Sequence, residues 1–324
     1  MQKLLRYSCV CFFFVRCQIA LTGEFYMQLS NEDKGFFRKI SEEIFGEDNS
    51  EGQFSLGVLI SYTQDFKKDQ KLEYSFQQDV FTPGRLGKRS SNAVLGDRAF
   101  AGYLAFGFNY LRKDQTRISW ITLVSKADLL LGVIGPNSQA EAVQNYGHRL
   151  IGGTEYLGWK DQLENSYGAN FTVRVIPQLR TNFKGLDAEV APHAVISVGN
   201  FVGYQGIGIT LRFGKHLSSD FGPKDFSPYS TKNPTISNHK GYSWNLFVGI
   251  ERRHLSHNYL LQGVTSRSRI VSVQMKDYLT DVQVGVIVNL KHFLINVSFI
   301  QRGLEFTTQE NKQQFVTVGS SIKI

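Results

Sequence analysis

The sequence predicts an all-β protein, a twelve-stranded antiparallel transmembrane β-barrel with a short helical segment in an extracellular loop. Three observations predict it. Segments that alternate apolar and polar residues run to about ten residues, the length a tilted membrane strand requires. Their polar faces carry Arg174, Arg212, Glu251, Asn289 and Asn296, which suit a wet or networked interior. The chain also opens on what reads as an export leader. A soluble sandwich gives the same alternation by burying its apolar faces together, but the three observations taken together favour the barrel.

The leader comes first. Lys3 and Arg6 precede the apolar run Ser8-Cys-Val-Cys-Phe-Phe-Phe-Val15, and small residues follow near Ala20 to Gly23. This is the pattern of a signal peptide over residues 1–22, and its apolar run is too short to span a bilayer as a helix. Residues 23–324 then form one barrel domain. Cys9, Cys11 and Cys17 are all the cysteines of the chain, so a processed protein has no disulfides and no thiolate metal sites. Losing Lys3, Arg6 and Arg16 lowers the formal charge from +8 to +5. That surplus suits either plain solubility or an anionic surface such as phosphate-bearing lipid. No zinc spacing, RNA-binding aromatic motif or basic helix points to nucleic acid.

The strands follow in order. The first is expected near 23–30. In the second, near 53–63, Phe54, Leu56, Val58, Ile60 and Tyr62 share one face, and Ser55, Gly57 and Ser61 share the other. The third is expected near 70–80. The fourth, near 98–111, alternates Leu104, Phe106, Phe108 and Tyr110 with Ala105, Gly107 and Asn109. The fifth to seventh fall near 116–134, 168–179 and 185–198. Near 203–213, Ile207, Ile209, Leu211 and Phe213 alternate with Gly206, Gly208, Thr210 and Arg212. The pattern recurs near 241–254, 278–290, 292–303 and 314–324. An even count brings both termini to the periplasmic side. Short turns at 63–69, 112–115 and 291–292 fall on that side, and the loops 31–52, 81–97, 135–167 and 255–277 face outward. The Pro- and Ser-rich stretch 214–240 breaks the rule, being long yet periplasmic.

The clearest helix signal is Ser138-Gln-Ala-Glu-Ala-Val-Gln-Asn-Tyr-Gly-His-Arg149. Residues three or four apart share a helix face, so Glu141, Gln144 and His148 form one stripe. Ser138 followed by Glu141 reads as a capping box. A second helical stretch, Glu155 to Asn165, sets Tyr156, Trp159 and Leu163 toward one side, as packing against the barrel wall. A polar helix carrying a histidine is not needed to close a barrel, which invites a functional explanation.

Serine chemistry has little support, because no Gly-x-Ser-x-Gly elbow is present. A histidine that activates water is the more economical reading of His148. A hard cation could then stabilise the developing oxyanion, and Asn31-Glu32-Asp33 at the outer end of the first strand offers the oxygens it needs.

The segments Gln78-Asp-Val-Phe-Thr-Pro83, Gly96-Asp-Arg-Ala-Phe100, Gly132-Val-Ile-Gly-Pro136, Val143-Gln-Asn-Tyr-Gly-His-Arg149, Trp159-Lys-Asp-Gln-Leu-Glu-Asn165 and Gly249-Ile-Glu-Arg-Arg253 together resemble the lipid A 3'-O-deacylases of Gram-negative outer membranes. The likeness runs in order through nearly the whole chain after the leader. It implies a twelve-stranded outer-membrane barrel that hydrolyses the ester holding the 3'-linked acyloxyacyl group of lipid A and requires calcium (Ca2+). Carried over by motif, His148 matches the general base, with Gln144 one turn before it placed to orient the base or the water. Asn31 and Glu32 match an Asn-Asp pair that serves catalysis and the metal, and Ser55 matches a threonine ligand. Lys88 in Gly87-Lys-Arg89 matches a lysine of the family beyond the third strand, and Glu155 lies near an acidic position of the family. Lys88, with Arg85 and Arg89 nearby, is expected to hold a lipid A phosphate, with Glu155 in the substrate site. Glu32 for Asp and Ser55 for Thr depart from the family pattern, though both keep an oxygen ligand. The implied partners are lipopolysaccharide as substrate and the outer-membrane bilayer, with the chain acting as a monomer. Two rivals remain: a non-enzymatic porin or adhesin, which predicts an open lumen, and an outer-membrane phospholipase with a serine nucleophile.

Overall fold

Alternating side chains give a strand two chemically different faces, and closing the sheet turns them into an inside and an outside. The computed structural model describes residues 23–32, 38–46, 53–84, 96–150, 155–226, 241–263 and 273–324; the expected leader, 1–22, lies outside them. The strands are β1 (Glu24–Asn31), β2 (Leu56–Lys67), β3 (Gln70–Phe81), β4 (Ala101–Gln115), β5 (Ile121–Ile134), β6 (Ser166–Phe183), β7 (Leu186–Gly199), β8 (Val202–Lys215), β9 (Tyr242–Asn258), β10 (Tyr278–Leu290), β11 (Phe293–Arg302) and β12 (Gln313–Lys323). Each pairs antiparallel with its sequence neighbours, and β12 pairs with β1 from Glu24↔Lys323 to Asn31↔Val316. No strand edge is left open, which is what a lipid environment demands. All twelve expected strands are present.

The two faces sort as the alternation requires. Phe106, Phe108, Ile207, Leu211 and Leu246 are exposed on the outside. Inside, Arg174, Arg212, Glu251, Asn289 and Asn296 are all buried. Two-residue turns join β2 to β3, β6 to β7 and β10 to β11 at the end that holds the termini. At Lys184-Gly185 both φ angles are positive, 52° and 85°, the geometry of a tight hairpin whose twist matches its strands. The chain returns at the other end through its longer loops, where the helices α1 (Arg38–Phe45) and α2 (Ala140–Leu150) lie.

Four expectations are corrected. Phe54, not Ser55, turns into the barrel. Its ring packs on the inward Phe81 and Phe315 at 5.5 and 5.0 Å, because the regular alternation begins only at Leu56, after the chain has turned. Ser138 does not cap α2. Gln139, in a left-handed conformation (φ 61°), stands between them, and the Ser138 hydroxyl donates to the Gly135 carbonyl at 2.6 Å. Glu141 is therefore an exposed first-turn acid. The stretch 155–165 is no α-helix but one 3-10 turn, Leu157–Asp161. Its packing role holds all the same, with Trp159 and Leu163 buried.

The fourth correction explains the long periplasmic stretch. After β8 the chain folds back into the lumen as far as Phe226. Lys113 donates to the carbonyls of Ser218 and Asp220, Lys126 to that of Pro223, and Gln283 to that of Lys224. Arg212 grips Asp220 at 2.7 Å, and Lys126 meets Asp225 at 3.0 Å. A porin needs an open passage, and here inward-facing wall side chains bind an occupying segment instead. Residues 227–240 lie outside the described residues.

Candidate active site on the outer wall

One row of outward positions crosses six strands near the rim opposite the termini. Its register is Phe299, Val316, Asn31, Leu56, Val80, Gly102, on β11, β12, β1, β2, β3 and β4 in turn. Five of these residues are apolar or glycine, and the sixth is Asn31, which is exposed. Adjacent strands lie about 4.8 Å apart, so Asn31 sits about 10 Å from Phe299 and about 14 Å from Gly102 along the row. A polar side chain at this place costs stability in a wall turned toward lipid, so it calls for a reason beyond folding.

The two helices lie on the wall to either side. On one side α1 binds β11 and β12: Ser41 donates to the Gln314 side chain at 2.9 Å, which in turn donates to the Gly46 carbonyl, and Gln301 donates to that of Phe45. Phe299 and Val316, outward by register, are buried. On the other side the start of α2 rests against β4 at Gly102. A Cβ there would come within 2.0 Å of the Ser138 hydroxyl and 2.3 Å of the Ala140 methyl, so glycine lets the helix touch the wall. Val80, Phe100, Ala140 and Trp159 form an apolar cluster, with Leu56 and Tyr156 packed on it. Asn31 and Leu56 therefore lie between two helical walls.

His148 is on the same helix, α2. It lies eight residues past Ala140, about 12 Å along the helix, and is half-buried, its ring meeting that of Tyr156 edge-on at 4.9 Å. Three bonds lock α2 to the returning chain. Gln144 accepts from the Trp159 indole at 2.9 Å, Asn145 accepts from the Tyr156 amide, and Arg149 pairs with Glu155 at 2.6 Å. These contacts give both residues a structural part. Gln144 is buried and ties α2 to Trp159 through its amide oxygen. Glu155 ties the returning chain to the helix through Arg149.

The expected metal set divides. Strand alternation turns Asn31 outward, while Glu32 continues the buried row of Gln28 and Ser30 and accepts the Gln53 amide at 3.3 Å. Ser55, next to Leu56, shares a hydrogen bond of 2.6 Å with Thr82. Asn31, Ser55 and Thr82 are oxygen donors of the kind calcium takes, and the Glu32 carboxylate, just past the end of β1, is buried and bound to the Gln53 backbone amide. Among the described residues no three His, Cys, Asp or Glu gather as a metal site. Arg85, Lys88 and Arg89 lie outside the described residues, as does Asp33. Thr82 went unread in the sequence and Tyr156 was read only as packing, since the pairing of β2 with β3 brings Thr82 to Ser55 and the folding of the loop brings Tyr156 to His148.

Among the described residues a serine mechanism finds no support in the geometry. Ser256 and His257 are hydrogen-bonded at 3.1 Å, but the other ring nitrogen of His257 meets the Gly199 carbonyl. No carboxylate orients that imidazole as a triad requires.

The family model of the outer membrane protein LpxR matches residues 26–324. The chain belongs to the LpxR family. The solved structure of LpxR from Salmonella typhimurium is similar at 25% sequence identity and a TM-score of 0.86, covering 93% of this chain and all of that one. The β domain of the Bordetella autotransporter BrkA (9% identity, TM-score 0.47, 94% of this chain and 100% of that one) and the KdgM porin (8%, 0.41, 93% and 99%) are remote. No curated protein sequence matches the chain. This member of the LpxR family is thus a bacterial outer-membrane β-barrel.

Proposed function

We propose that this barrel is a lipid A 3'-O-deacylase, which uses His148 to activate the water that cleaves the 3'-acyloxyacyl ester. Family membership supports the reaction class, and the observation that carries the site is Asn31, a polar side chain in an outward apolar row between two helices. Lipid A in the outer leaflet presents its sugar at the rim and its chains along the wall, so an ester can reach Asn31 without the lipid leaving the membrane. His148 takes a proton from water as the oxygen attacks the ester carbonyl. The Asn31 amide donates to the carbonyl oxygen as negative charge builds on it. The intermediate collapses with the imidazolium proton passing to the sugar 3'-oxygen, which frees the fatty acid and restores the base. Asn31 and Ser55, with Thr82, are the residues that would hold calcium, and the bound ion would supply further stabilisation of the oxyanion. The Arg85, Lys88 and Arg89 cluster would hold a lipid A phosphate.

Asn31→Leu tests the reading, because leucine continues the apolar row and leaves insertion unharmed. Release of 3'-acyl groups, followed by mass spectrometry of lipid A, should fall about 10²–10³-fold, as when one oxyanion donor is lost. Full release by a folded variant overturns the site. Excess calcium chelator should silence the native protein, and undiminished activity in chelator removes the metal from the proposal.

A further inference from the structure

A second place on the outer wall is built to receive charge. Along β9 the outward residues Tyr242, Trp244, Leu246, Val248 and Ile250 are aromatic or aliphatic, and Arg252 and His254 then follow on the same face. Strand rise and tilt lift the chain by about 2.5 Å per residue, so Arg252 stands about 25 Å above Tyr242, where an apolar band of about that height ends. Both basic residues are exposed. They converge on Tyr278 of β10, which is 55% exposed: the Arg252 guanidinium lies 4.7 Å from its ring centre and the His254 ring 5.0 Å away. The register sets His254 between Tyr278 and Gln205, and Arg252 between Thr280 and Ile207.

The charge on Arg252 is the telling part. Inward-facing Arg98, Arg174, Arg212, Arg253 and Arg302 each meet a carboxylate. Arg252 has none among the described residues. Asp277 is exposed beside Tyr278, and its backbone carbonyl accepts the Leu255 amide. An arginine fixed on an aromatic face with its donors open, at headgroup depth, matches a phosphate ester.

We propose that Arg252, His254 and Tyr278 form a docking site for the phosphate of a phosphorylated glycolipid of the outer leaflet. It lies four strands round the wall from Asn31, about 19 Å by strand spacing, and it does not rest on the deacylase reading.

Native mass spectrometry of the full chain in detergent micelles tests it, in a His148→Ala background so that lipid stays intact. With lipid A as the probe, the paired change Arg252→Gln and His254→Gln should remove one bound lipid, weakening that event at least about fivefold, while the remaining events stay. Gln205→Glu, which places a carboxylate opposite His254 and leaves both bases intact, should do the same. Lipid A stripped of its phosphates should bind as if the site were missing. Unchanged lipid counts at equal concentration in both folded variants overturn the proposal. Displacement of that lipid by equimolar inorganic phosphate also overturns it, by assigning the site to the free ion. Because binding is counted rather than turnover, the result is separate from the fate of the hydrolytic reading.

Discussion

Replacing His148 by alanine should lower 3'-deacylation at least about a hundredfold while leaving a folded, membrane-inserted barrel. The magnitude is the low end for losing a general base. The expectation of normal folding has its own basis, because the ring lies on the outside of the barrel, half-buried against Tyr156. The bonds that fix α2 belong to Gln144, Asn145 and Arg149, and none is lost. Kinetics should show kcat and kcat/KM falling together, since a base acts in the transition state more than in substrate binding. Unchanged release of acyl groups by the variant would remove His148 from the mechanism. Collapse of the barrel would show instead that the ring is structural.

The second large effect is expected in the lumen. Glu251 is fully buried and meets Arg174 at 2.5 Å, Arg253 at 2.5 Å and His193 at 2.9 Å. Changing it to alanine leaves two guanidinium groups with less countercharge. Asp225 lies 3.5 Å from Arg174, and Asp281 lies 3.2 Å from Arg253, so compensation is partial. Removing one partner of a buried ion pair costs about 3–5 kcal/mol. Urea unfolding in micelles, followed by tryptophan fluorescence, should show a loss of that size. A loss under about 0.5 kcal/mol would mean that water or the remaining acids carry the charge.

The two effects separate cleanly in space. One site lies on the lipid-facing side of the wall, where substitution is expected to spare the fold. The other lies within and holds the lumenal segment in place through Asp225, which also pairs with Lys126.

How much of this was legible from residues alone depends on the kind of signal. Period-two alternation needs only neighbouring residues, so strand positions came through, as in β10, which matches its expected bounds of 278–290. The faces came through with it, as Arg212 inside and Phe213 outside attest. The signal failed where chain direction changes. Phe54 precedes the regular strand, and its side chain is set by Phe81 and Phe315 rather than by local phase. The capping box failed because one left-handed residue, Gln139, came between serine and helix.

The candidate site was legible in part. His148 and Asn31 stand out by type and motif, while the closed wall sets the strand of Asn31 three strands from the one on which α2 begins. Motif adjacency did not show that Glu32 is buried while Asn31 is exposed. The positioning roles of Gln144 and Glu155 depend on Trp159 and Arg149, contacts that exist only once the loop has closed.

The sequence by itself determined the barrel, its strand number and the outward and inward side chains, since these follow from short-range periodicity. Only the tertiary structure decided that residues 216–226 fill the lumen, that two helices flank Asn31 and that Arg252 stacks on Tyr278. The first two depend on strands far apart in the chain being brought together by closure of the sheet, and the third on the register of β10 against β9.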